Sequence, residues 1–105
     1  MKVEAAVEAL AALAQESRLA IFRLLVQKGE EGMAAGLIGE RLGIPPATLS
    51  FHLKSLTHAS LVKARSESRF VIYTANYRKM DRLIGYLTEH CCAGDAAQCA
   101  PHKSC

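Results

Sequence analysis

Apolar residues recur at helical spacing in five segments of the chain and alternate in two short ones. Val3, Val7, Leu10 and Ala14 share one face of the first segment, with Glu4 and Glu8 on another, which predicts an amphipathic helix. Ser17 suits the N-cap of a second helix running to about Gln27. Leu19, Ile21, Phe22, Leu24, Leu25 and Val26 cover most of its circumference, as in a helix buried at the centre of a small domain. Lys28-Gly29 ends it. A third helix fits Met33–Leu42 and stops at Gly43, although Gly36 and Gly39 weaken its helical propensity. Pro45 and Pro46 are tolerated only at the first turn of the next helix. That fourth helix runs to about Ala59 and buries Leu49, Leu53 and Leu56, while Thr48, Ser50, Phe51, Lys54 and Ser55 point elsewhere.

Leu61–Arg65 and Phe70–Thr74 are rich in β-branched and aromatic residues, and Ser66–Arg69 joins them as a polar hairpin tip. A last helix covers roughly Tyr77–Cys92, with Met80, Leu83, Ile84 and Leu87 at i, i+3, i+4 and i+7. The expected fold is mainly α with a β-hairpin: a winged helix-turn-helix in the order α-α-α-α-β-β-α. Residues 1–93 make one DNA-binding and dimerisation domain in this reading, and residues 94–105 a flexible, Cys-containing tail. The length, 105 residues, leaves room for one core only. The terminal helices each carry an apolar stripe (Val3, Val7, Leu10; Met80, Leu83, Ile84, Leu87). Pairing two copies across a twofold axis buries both stripes and sets two recognition helices roughly 34 Å apart, one DNA turn. The alternative is that both stripes pack on the protomer's own core.

Composition adds three constraints. Half the residues are hydrophobic and 22% are charged, so a core forms without disulfide staples. The longest run without Asp, Glu, Lys or Arg is Leu42–Leu53, too short to span a bilayer. No apolar segment follows a basic start at Met1, so a cytoplasmic protein with reduced thiols is expected. The net charge of +3 is unevenly spread: residues 45–80 hold six basic groups against one acidic, while both flanks are slightly acidic. A basic patch in mid-chain suits a polyanion, and nucleic acid is the usual one.

The segment Ala14–Leu25 and, above all, Leu42-Gly43-Ile44-Pro45-Pro46-Ala47-Thr48-Leu49-Ser50-Phe51-His52-Leu53-Lys54-Ser55-Leu56 followed by Ala59-Ser60-Leu61-Val62 resemble the ArsR/SmtB family of metal-sensing bacterial repressors. The likeness covers nearly the whole chain. Ser60 stands where that family usually has glycine, and Ser68-Arg69 lacks the glycine common in its wing. The resemblance implies a homodimer that sits on operator DNA and leaves it when an inducer binds. No membrane partner and no enzymatic activity are implied. Thr48, Ser50 and His52 offer hydrogen bonds to base edges, Phe51 an apolar contact to a thymine methyl, and Lys54 a phosphate contact. Arg65 and Arg69 flank the hairpin tip, where a wing tracks the minor groove or backbone. His52 has a second role open to it, a hydrogen bond within the fold, and Phe51 can be partly buried.

All four cysteines fall in the last fifteen residues: Cys91, Cys92, Cys99 and Cys105. Thiolates are soft ligands that select thiophilic ions. Three sulfurs suit As(III), with Sb(III) as a chemical substitute, whereas zinc prefers four ligands, with His90 or His102 available. The family's arsenic site on the third helix aligns with Ala34 and Gly36 and is absent. Its zinc set on the last helix is absent too, because Leu83 follows Asp81 where histidine is needed. The remaining pattern resembles a subgroup of arsenic repressors with a C-terminal vicinal Cys pair and a third Cys. Cys91, Cys92 and Cys99 are therefore the expected ligands, with Cys105 as the alternative third; Cys99 closes the shorter loop. A repressor of the same fold answering a Zn/Cd-type divalent ion or thiol oxidation is the alternative function. A catalytic cysteine favours a helix N-terminus, and these sit at a C-terminal end, so an enzyme is not expected.

Overall fold

The computed structural model describes residues 1–94. Five helices and three strands follow in the order α1 (Val3–Leu13), α2 (Glu16–Lys28), β1 (Met33–Ala34), α3 (Ala35–Leu42), α4 (Pro46–His58), β2 (Val62–Glu67), β3 (Phe70–Ala75) and α5 (Tyr77–Thr88). A 3₁₀ turn, Gly29–Glu31, links α2 to β1. The expected winged helix-turn-helix is present, with one added strand. The sheet is antiparallel in the order β1-β3-β2.

The core forms where the helices' apolar faces meet. Ile21 and Leu25 of α2, Ile38 of α3 and Leu56 of α4 are fully buried, and Leu61 just before β2 joins them. Helix α2 is central and contacts α1, α3, α4 and β3, but it is not buried all round as expected: Leu19 is 44% exposed. Its N-cap is Gln15 rather than Ser17: the Gln15 side chain accepts from the Arg18 amide. The same Arg18 donates from Nε to the Ala12 carbonyl at 2.6 Å, tying the end of α1 to the start of α2. Tyr77 fastens the other end, its hydroxyl donating to the Val26 carbonyl at 2.8 Å.

Two boundaries differ from expectation for identifiable reasons. The third helix begins at Ala35, because Met33 and Ala34 pair with Tyr73 and Ile72 of β3. Gly32 makes that pairing possible: its φ is +70°, and a Cβ there would lie 2.6 Å from the Tyr73 carbonyl oxygen. A two-residue strand leaves no periodicity to read. The last helix stops at Thr88, not Cys92. Glu89 turns extended (φ −56°, ψ 126°) and His90 is left-handed at φ 58°.

Ser60 occupies the turn between α4 and β2 with φ 63°. Its carbonyl accepts from Asn76 Nδ2 at 2.8 Å, and the Asn76 amide donates to Leu61 O at 2.8 Å. Asn76 also caps α5 by accepting from the Lys79 amide. The turn is thus pinned in a backbone region that suits glycine. Ser60→Gly is expected to raise stability by about 0.5–1 kcal/mol, the left-handed penalty of a side chain less glycine's entropy cost. Urea unfolding measures it; a lower midpoint would show that the Ser60 side chain contributes.

Candidate nucleic-acid interface

Helix α4 is held by one face. Leu49, His52, Leu53 and Leu56 are buried there, and Pro46 stands in its first turn, where no amide hydrogen is missed. Helical spacing then places Ala47, Thr48, Phe51, Lys54 and His58 outward, all exposed. Phe51 is 63% exposed. An aromatic ring left in water on a helix that buries three leucines is an unusual use of apolar surface. Along this stripe are hydrogen-bonding, apolar and cationic groups, the mixture a major-groove helix uses.

The expected residues divide. Thr48, Phe51 and Lys54 share the outer stripe. Ser50 is exposed but turned to the flank, where it lines a cleft against α3. His52 is not on the surface: it is 6% exposed, and Nδ1 has no hydrogen-bond partner among the described residues. Its expected reach to a base edge is therefore not met, and the alternative bond within the fold is not made through Nδ1. The reason is geometric: His52 follows Leu49 by three residues and precedes Leu56 by four, so it shares their inward face. The Phe51 and His52 rings sit 5.8 Å apart and tilted by 59°.

The hairpin projects beside α4. Arg69 is exposed at its tip, beside Ser68 with φ 57°. Arg65 is exposed and has a structural role beside the expected one. Nη1 and Nη2 donate to the carbonyls of Glu30 and Glu31, each at 3.0 Å, and Nε donates to Glu67 at 3.2 Å. These exposed bonds tie β2 to the 3₁₀ turn. Glu67, the lone acid of the basic segment, is also neutralised there. Sequence reasoning missed Phe70, which is 62% exposed next to Arg69, and His58 in the last turn of α4. An aromatic directly after the tip arginine was the available signal for Phe70.

The apolar stripes of the terminal helices are only partly free. Val3, Val7, Leu10, Ile84 and Leu87 are exposed, and α1 and α5 touch. Leu83 is 6% exposed, which corrects its assignment to a dimer face, whereas Met80 is half-buried against the protomer's own core. Ala6 and Ala9 face inward from α1 and leave Val3, Val7 and Leu10 outside.

Cys91 and Cys92 follow α5 after Glu89 and His90. Cys91 is exposed and Cys92 half-buried, with Cys92 left-handed at φ 57°, ψ 35°. The pair is therefore outside helical geometry, where neighbours would diverge by about 100°. Among the described residues no group of three or more His, Cys, Asp or Glu is arranged for a metal ion. Cys99, Cys105 and His102 lie outside the described residues, as does all but the first residue of the tail 94–105. No described helix is long and apolar enough to cross a membrane.

Comparison with known proteins agrees with this geometry. The model of the helix-turn-helix domain family matches residues 13–65. YceK, an uncharacterised HTH-type transcriptional regulator of Bacillus subtilis, is 45% identical over 58 residues, 55% of this chain and 57% of its own. The chain thus spans little more than half the length of that relative. Among solved structures, the homodimeric winged helix-turn-helix DNA-binding domain Mb0332 of Mycobacterium bovis, a possible ArsR-family regulator, superposes with a TM-score of 0.68 at 29% identity, covering 82% of this chain and 77% of the other. A possible transcriptional regulator for arsenical resistance superposes at 0.67 with 25% identity, covering 76% and 80%. These relatives are regulators and not enzymes. The chain belongs to the helix-turn-helix transcriptional regulators, and its structural neighbours set it among the winged-helix regulators of the ArsR family.

Proposed function

We propose that this chain is a dimeric repressor that binds operator DNA and is released when As(III), or Sb(III), binds the thiolates of Cys91, Cys92 and a third cysteine, Cys99 or Cys105. The observation that carries the reading is the position of the adjacent cysteines, two residues beyond a helix whose outer row, Ile84 and Leu87, is exposed and apolar. Two soft donors on consecutive residues suit a thiophilic ion. A neighbour whose name ties this fold to arsenical resistance lends support.

In this reading α4 enters the major groove with Thr48, Phe51 and Lys54, and Arg69 follows the backbone from the wing. Val3, Val7 and Leu10 join Ile84 and Leu87 at the twofold axis. Ligation at the end of α5 then acts on the helices that set the spacing of the two α4 helices. A few kcal/mol of preference for the weakly binding arrangement is enough for release. Thiol oxidation is the rival trigger.

Three measurements test the parts separately. Lys54→Ala and Arg69→Ala each remove one cation, so each is expected to weaken DNA binding across sequences and to lower the salt-dependence slope by about one. An unchanged slope would remove those residues from the phosphate contact. Val7→Glu with Leu87→Glu is expected to give a folded monomer in sedimentation, since two buried charges across an apolar seam are strongly unfavourable; a persistent dimer would place the interface elsewhere. As(III) added with a thiol reductant is expected to release the chain from its operator, and Cys91→Ser or Cys92→Ser to abolish release. Release by a disulfide-forming oxidant but not by As(III) would decide for the redox trigger.

A further inference from the structure

A cleft on the flank of α4 has no part in the reading above. It lies between α3 and α4 and holds about 510 Å³, within the roughly 300–1,000 Å³ of small-molecule sites. Leu49 and Leu53 form its apolar floor, and Pro45 and Pro46 stand at the turn joining the two helices. Three polar side chains border it: Glu40 from α3, Ser50 from α4 and Tyr73 from β3. Among the described residues none of the three makes a side-chain hydrogen bond or an ion pair.

The glycines of α3 show how the space is kept. A Cβ on Gly39 would lie 2.9 Å from the Ile44 carbonyl oxygen and 3.1 Å from Leu49 Cδ2, so close helix packing requires that glycine. Gly36 has no such neighbour: a Cβ there meets nothing within 4 Å. A glycine within a helix costs about 1 kcal/mol against alanine. At Gly36 that cost brings no packing gain, and its bare backbone leaves the cleft wall low.

We infer that this cleft binds an organic amine. An aryl or alkyl body lies above Leu49 and Leu53, themselves already buried, and against Ala35, Ile44, Pro45 and Pro46, which keep apolar surface in water; burying that surface drives association. The ammonium group donates to the Glu40 carboxylate and to the hydroxyl oxygens of Ser50 and Tyr73. The same carboxylate repels an anion of equal shape, so charge complementarity selects the amine. The site involves no cysteine and stands apart from the metalloid reading.

An NMR titration of the full chain with phenethylamine, set against the isosteric anion 3-phenylpropionate, tests it. The expected result is saturable shifts confined to the amides of Gly36, Glu40, Leu49, Ser50 and Leu53, with the anion weaker by about tenfold or more, the size of one charge-assisted hydrogen bond. Gly36→Leu projects a side chain into the mouth and is expected to abolish binding, with an unfolding midpoint no lower than the parent's. Glu40→Gln keeps the shape and is expected to weaken phenethylamine by a similar factor. Shifts that do not saturate, an equal response to both probes, or binding indifferent to Glu40→Gln would overturn the assignment.

Discussion

Leu49, Leu53 and Leu56 are almost entirely withdrawn from water, and each such burial is worth about 1.5–3 kcal/mol. They clamp α4 onto α2, whose Ile21 and Leu25 are fully buried. Everything else on α4 follows from that clamp. With one face committed, the 3.6-residue repeat leaves Thr48, Phe51 and Lys54 no direction but outward. The same repeat draws His52 inward, although its chemistry alone suits a base edge. A residue's role on this helix is set by phase before it is set by side-chain type.

The wing depends on a second constraint, the pairing of β3 on both edges. One neighbour, β2, is local; the other, β1, comes from before the helix-turn-helix and closes the sheet over α2. Gly32 permits the close approach, and Arg65 reinforces it by bridging to the carbonyls of the 3₁₀ turn. Arg65 stays exposed, but its guanidinium donors are already engaged. The hairpin cations that remain undirected by the protein are Lys63 and Arg69. The basic excess of residues 45–80 therefore overstates what faces a polyanion.

The helix-turn-helix was readable because its signals are local: prolines at a helix start, leucines at fixed spacing, a glycine stop. The β-hairpin was equally plain. The two-residue strand and the early end of α5 were not, since each depends on partners or backbone angles that no periodic pattern encodes. For the candidate interface the exposed aromatic Phe51 was foreseen, whereas Phe70 was passed over as ordinary strand composition. The cleft between α3 and α4 lay hidden in glycines that read simply as weak helix formers.

The amino-acid sequence alone determined the order of elements, the buried stripe of α4, the basic middle segment and the gathering of all four cysteines at one end. Each of these is a property of spacing or count along the chain. Only the tertiary structure decided which members of a face are used. It withdrew Leu83 into the protomer while leaving Ile84 and Leu87 outside, and it tied Arg65 to the 3₁₀ turn and turned His52 under. The physical reason is common to these cases: burial and donor geometry depend on distant segments, and a 3.6-residue period assigns a direction but not the neighbour found there.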